Sequence, residues 1–130
     1  MDFNFTEQEK NFRTEIREWL SINLPKNITE KVRKYQRLHK EDYEVFMKKL
    51  NDKGWLAINW PTKFGGTGWS SVQKHIFEEE IVKANAPRVV PFGLNMLGPV
   101  LIEYGSERQK KYYLPRILNC EDWWAQGYSE

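Results

Sequence analysis

Three observations predict an all-α fold, a bundle of about six helices in up-down or orthogonal arrangement. Apolar residues recur at helical spacing through most of the chain, capping boxes open two of the runs, and no two alternating segments could pair as strands. Thr6 followed by Glu9 is the first capping box, and Phe12, Ile16, Trp19 and Leu20 then share a face until Pro25. After Pro25, Ile28, Val32, Tyr35 and His39 line one side of a second helix, with Arg33, Lys34, Arg37 and Lys40 on the other. That basic cluster lacks exposed aromatics to stack bases and reads as a solvated face.

Glu41 and Asp42 suit the start of a third helix, because the macrodipole favours negative charge there. Tyr43, Phe46, Met47 and Leu50 follow at i, i+3, i+4 and i+7. Gly54 is the expected C′ residue. From Gly54 to Trp69 runs a loop holding four of the chain's eight glycines. A glycine-rich loop before a helix raises the question of a phosphate cradle. Gly65, Gly66, Thr67, Gly68, Trp69, Ser70 lacks the P-loop lysine, and no strand precedes it, so the loop reads as a scaffold turn anchored by Trp55, Trp60 and Phe64.

Ser70 or Ser71 caps a fourth helix, apolar on two sides through Val72 and Ile76, and Phe77, Ile81 and Ala84. Glu78, Glu79 and Glu80 point about 100° apart there, so they cannot converge on one substrate atom and read as ion-pairing or capping groups. Pro87 and Pro91 precede a short helix with Phe92, Leu94, Met96 and Leu97, which Gly98 and Pro99 interrupt before Val100 to Tyr104. Such a broken apolar helix is either ordinary core or the border of a cavity. Ser106 with Gln109 opens a last helix, jogged or restarted at Pro115.

From Cys120 the helical period disappears, and Trp124, Gln126 and Tyr128 alternate with Ala125, Gly127 and Ser129 as in a strand. The expected organisation is therefore a helical domain over 1–119, with 120–130 starting a β domain that is missing here. At 130 residues one core is the default, and apolar residues at 40% with aromatics at 15% suffice to fill it. A net charge of +2 implies neither nucleic acid nor an anionic membrane as partner. Lone Cys120, no bilayer-length apolar run and no signal-peptide pattern at the N-terminus fit a soluble cytoplasmic protein. His39 and His75 lack ligand spacing for a metal, and no Ser or Cys sits in a nucleophile elbow.

Four segments in order resemble the amino-terminal part of the acyl-CoA dehydrogenase family. They are Phe5 to Gln8 with Phe12 and Arg13; Trp60, Pro61 through Phe64 to Gly68; Leu97, Gly98, Pro99 to Lys110; and Tyr113, Leu114, Pro115 through Trp124 to Glu130. The resemblance implies a helical domain followed by a β domain and a second helical bundle, assembled as tetramers or dimers around FAD, with acyl-CoA as substrate and an electron-transfer flavoprotein as a candidate acceptor. It implies α-proton abstraction, hydride transfer to flavin and a trans-2-enoyl-CoA product. The catalytic base of such enzymes lies in the C-terminal part, so no catalytic residue is nominated here. By resemblance, Gln126, Tyr128 and Ser129 match flavin contacts. Val90, Gly93, Leu94 and Leu97 match the acyl end of the pocket, where Gly93 would leave room for a long or bulky acyl group. A flavin oxidase or monooxygenase on the same scaffold, or a stand-alone helical interaction module, are the rival expectations.

Overall fold

A computed structural model describes residues 5–127. It contains six α-helices and, among the described residues, no strand: α1 (Glu7–Asn23), α2 (Lys26–Arg33), α3 (Lys40–Lys53), α4 (Ser71–Lys83), α5 (Gly98–Tyr104) and α6 (Glu107–Leu118). A 3-10 turn at Thr62–Phe64 lies in the central loop, and a π-helical segment, Phe92–Leu97, runs directly into α5. Residues 121–127 carry no regular structure, so the strand expected over 120–130 is not formed there; the rest of that expectation, 128–130, lies outside the described residues.

Where one core was expected, the chain sorts into two compact units, 1–42 with 69–87 and 43–68 with 88–130. In the first, α1 packs on α4 and buries Ile16 and Leu20 on one helix and Ile76 and Phe77 on the other. Trp69, just ahead of α4, packs edge-on to Phe12 at 5.0 Å between centroids and tilted on Phe77 at 5.1 Å. Of the two apolar sides read for α4, each buries one residue, Ile76 on the first and Phe77 on the second, while Val72 on the first is exposed and Ile81 and Ala84 on the second are half-buried.

Both predicted capping boxes form, at Thr6/Glu9 and Ser106/Gln109, and Ser70 with Gln73 makes a third that fixes the start of α4. Each satisfies backbone donors that a helix end leaves orphaned. Gly54 closes α3 as expected: it takes φ +77°, its N–H donates to the Asn51 carbonyl at 2.8 Å, and that of Trp55 donates to Leu50 at 2.8 Å.

The second helix is shorter than its periodicity predicts. It stops at Arg33 because Tyr35 enters the left-handed region at φ 54°, letting the Gln36 N–H donate to the Lys31 carbonyl at 2.8 Å. Tyr35 and His39 therefore do not share a helical face with Ile28. A tyrosine at that φ is strained, and its ring is 98% exposed, so no packing compensates. Tyr35→Gly is expected to stabilise the fold by about 0.5–1 kcal/mol, read as a rise of a few degrees in Tm.

Two expected interruptions are absent. The chain runs helically through Gly98 and Pro99, and α6 continues through Pro115 without a restart. Pro115 is exposed at the helix surface, so the carbonyl it leaves unpaired at Lys111, itself exposed, can bond solvent.

Candidate functional site

The second unit holds a small cleft whose shape begins in the central loop. Pro61 accepts hydrogen bonds through its carbonyl from Phe64 at 2.9 Å and Gly66 at 3.1 Å, which curls the loop and presents the buried Trp60 indole to the segment Phe92–Leu97. The Trp60 Nε1–H donates to the Leu94 carbonyl at 2.7 Å. In an α-helix that carbonyl would accept from Gly98, four residues on. With Leu94 taken by Trp60, the Gly98 N–H donates instead to Gly93, five residues back, and the backbone passes through a π turn. Gly98 completes the arrangement, because a Cβ there would overlap the Trp60 ring. Trp60 thus determines how Gly93 and Leu94 are presented, a role that sequence spacing did not reveal.

That π segment forms one wall of a cleft of about 20 Å³. Val90, Gly93 and Leu94 lie in its lining together with Met47, Ile117 and Trp124. Three of the four residues expected at an acyl pocket are therefore brought together. Leu97, half-buried on the same segment, does not line the cleft. Gly93 does not open onto empty space as expected: a Cβ built there would sit 3.0 Å from Trp124 Cδ1 and 3.2 Å from Ile117 Cγ2. The room that glycine leaves is filled by the indole edge.

The opposite wall is fixed by the chain leaving α6. Cys120 reverses it at φ 58°, with the Glu121 N–H donating to the Arg116 carbonyl at 2.9 Å. Arg116 then grips Asp122 through two hydrogen bonds, Nε at 2.8 Å and Nη2 at 2.7 Å, and reaches Glu121 at 3.0 Å. The paired guanidinium holds the Asp122 carboxyl below its ordinary value, and Asp122 in turn raises Arg116. Asp122 is therefore a clamped carboxylate rather than a base. Beyond the clamp, Trp123 Nε1 donates to Glu44 at 3.0 Å, and Trp124 meets Tyr113 edge-on at 5.7 Å between centroids. Nothing in the spacing of Arg116, Asp122 and Trp124 marks this constellation, because it depends on the reversal at Cys120.

Of the expected flavin contacts, Gln126 is exposed, and Tyr128 and Ser129 lie outside the described residues. A Cβ on Gly127 would meet nothing within 4 Å among the described residues. Among the described residues there is no cluster of His, Cys, Asp or Glu able to hold a metal ion, and both His39 and His75 are exposed. No helix among them is long and apolar enough to cross a membrane.

The family model described as acyl-CoA dehydrogenase, N-terminal domain, matches residues 6–121. Acyl-CoA dehydrogenase IpdE1 of Mycolicibacterium smegmatis is 39% identical over 126 residues, covering 92% of this chain and 32% of the relative. Acyl-CoA dehydrogenase FadE26 of Mycobacterium tuberculosis is 32% identical, covering 100% of this chain and 33% of its own length. Among solved structures, the ChsE4-ChsE5 complex from Mycobacterium tuberculosis superposes with a TM-score of 0.73 at 29% identity, over 92% of this chain and 29% of that one. A structure titled Tcur3481-Tcur3483 steroid ACAD gives a TM-score of 0.73 at 35% identity, over 92% and 30%. The chain belongs to the acyl-CoA dehydrogenase family, and what it matches is that family's N-terminal helical domain. It spans about a third of the length of the curated relatives it matches.

Proposed function

We propose that these residues form the acyl-pocket wall of an FAD-dependent enzyme that dehydrogenates acyl-CoA thioesters between the α and β carbons, giving trans-2-enoyl-CoA. The observation that carries this reading is the cleft itself. Val90, Gly93 and Leu94 meet in an apolar notch, and its one carboxylate, Asp122, is clamped as an anion by Arg116. A wall of this kind can shape an acyl group and exclude water, but it supplies no base. FAD, when bound, supplies the hydride acceptor. Gln126, Tyr128 and Ser129 would hold its ring edge, Gly127 leaving the backbone open to approach.

The relative titled a steroid ACAD supports a bulky, ring-bearing acyl group as substrate. The two solved neighbours whose titles pair two proteins support an assembly of subunits, and a dimer or tetramer belongs to the same reading. So do a cytoplasmic setting and an electron-transfer flavoprotein as acceptor.

The test is made on the product of the complete reading frame that contains residues 1–130. It is expected to purify with FAD and to turn saturated acyl-CoA into enoyl-CoA with an artificial electron acceptor. A colourless protein that leaves every acyl-CoA unchanged would sink the reading. Rapid reoxidation by oxygen with substrate bound would move it to an oxidase on the same scaffold.

A further inference from the structure

We propose that Trp60 is a remote specificity residue, a positioning group whose indole N–H locks the Phe92–Leu97 segment in its π register and so decides which side chains face the acyl group. The inference rests on the acyl-CoA reading above and deepens it. Trp60 does not line the cleft; it stands behind the wall.

Two contacts make the lock. The Trp60 N–H donates to the Leu94 carbonyl at 2.7 Å, and with Trp60 only 4% exposed that bond is shielded from water. The indole ring also lies against Gly98, where a Cβ would overlap Cζ2. Trp60 therefore holds both ends of one exchange: it occupies the carbonyl that an α-helix would offer to Gly98, and it stands against the residue whose N–H would use it. The Gly98 N–H goes to Gly93 instead. Without the indole donor, the buried Leu94 carbonyl is satisfied again only if the Gly98 N–H returns to it, and that return is the α register.

The chain on the two sides of the π segment is not equally held. Downstream, α5 packs on α6; upstream, residues 88–90 carry no regular structure. A return to the α register would leave α5 in place and turn the upstream residues by one residue's rotation, roughly 100°. The wall is sensitive to such a shift. A Cβ at position 93 would sit 3.0 Å from Trp124 Cδ1 and 3.2 Å from Ile117 Cγ2, so a glycine fits there and the neighbouring Phe92 and Leu94 do not. Moved by one position, the segment brings a larger side chain to that point and takes Val90 from its place in the lining. The wall must then repack, and a bulky acyl group is the substrate that senses it.

The experiment uses the full-length enzyme as wild type, Trp60→Phe and Trp60→Phe/Gly98→Ala. It combines crystal structures with kcat/KM for cyclohexylpropanoyl-CoA and butanoyl-CoA. Phenylalanine removes the donor and clears the Cζ2 position, so Gly98→Ala, which the indole forbids, becomes admissible and favours the α register. The double variant keeps the test open if Trp60→Phe folds poorly. In both variants the residue 98 N–H is expected on the Leu94 carbonyl. The ratio of kcat/KM for the cyclohexyl over the butanoyl thioester is expected to fall about tenfold, mainly through KM for the former. A residue 98 N–H still on Gly93, or both thioesters slowed alike, would overturn the proposal, the Trp60 bond then serving stability only. Wild-type enzyme inactive on both thioesters would overturn the acyl-CoA reading and the specificity role with it, whatever register the variants adopt.

Discussion

Gly66→Ala is expected to destabilise the second unit by about 4 kcal/mol, at the severe end for a single substitution. A Cβ at this position would overlap the carbonyl oxygen of Trp60, a backbone atom that cannot rotate aside. The damage would reach the cleft. Moving the Trp60 peptide tilts its indole away from the Leu94 carbonyl, now 2.7 Å distant, and the π turn that presents Gly93 depends on that bond. Gly54→Ala provides the control: its φ is +77°, but a Cβ there meets nothing within 4 Å, so it should cost only the left-handed penalty of about 1 kcal/mol. Chemical denaturation of the two variants checks the contrast. Equal losses would show that the Trp60 carbonyl is not the constraint.

The second large effect belongs to the first unit. Glu80 is only 3% exposed, and it receives Arg13 Nη1 at 2.6 Å and Arg17 Nε at 2.6 Å. Arg13 also reaches Glu79 at 2.9 Å, with its own side chain 13% exposed. Burial alone would raise the Glu80 pKa, but hydrogen bonds from Arg17 and Arg13 outweigh it and hold the carboxyl below its ordinary 4.5. Glu80→Gln removes the buried carboxylate that Arg13 and Arg17 share, leaving Arg13 only Glu79, and is expected to cost about 3 kcal/mol. Because the folded-state pKa is depressed, the stabilisation is complete above the ordinary carboxylate range and is lost as pH falls through the folded value. Glu79, held down first by its hydrogen bond from Arg13, follows the same sign. Wild type should therefore lose Tm on acidification more steeply than Glu80→Gln. Parallel curves would rule out the buried carboxylate as the source.

What could be read from the sequence was local. Thr6/Glu9, Ser106/Gln109 and Gly54 act within one helical turn of where they stand, so spacing was enough to place them. The ion-pairing of Glu79 and Glu80 followed from the angular spread of adjacent helical residues. The failures were non-local or lacked a residue signal. Tyr35 ends α2 in a conformation usually marked by glycine or asparagine. Gly98–Pro99 looks like a helix break, yet the acceptor that bends the backbone there is set by Trp60, more than thirty residues earlier. Val90, Gly93 and Leu94 were named through the family resemblance, and spacing alone did not mark them as sharing a cleft. Trp124 was passed over as a strand residue, because its contact with Gly93 exists only after Cys120 turns the chain.

The central claim is that the notch beside the π segment bounds the acyl group, and Val90→Phe tests it most directly. In the full-length enzyme, if the proposal holds, a phenylalanine at this lining position is expected to lower kcat/KM for cyclohexylpropanoyl-CoA at least about tenfold relative to butanoyl-CoA, the shorter acyl group being the one the wall would not meet. If both substrates lose activity equally, or neither does, the acyl group does not lie against Val90 and the cleft is ordinary core.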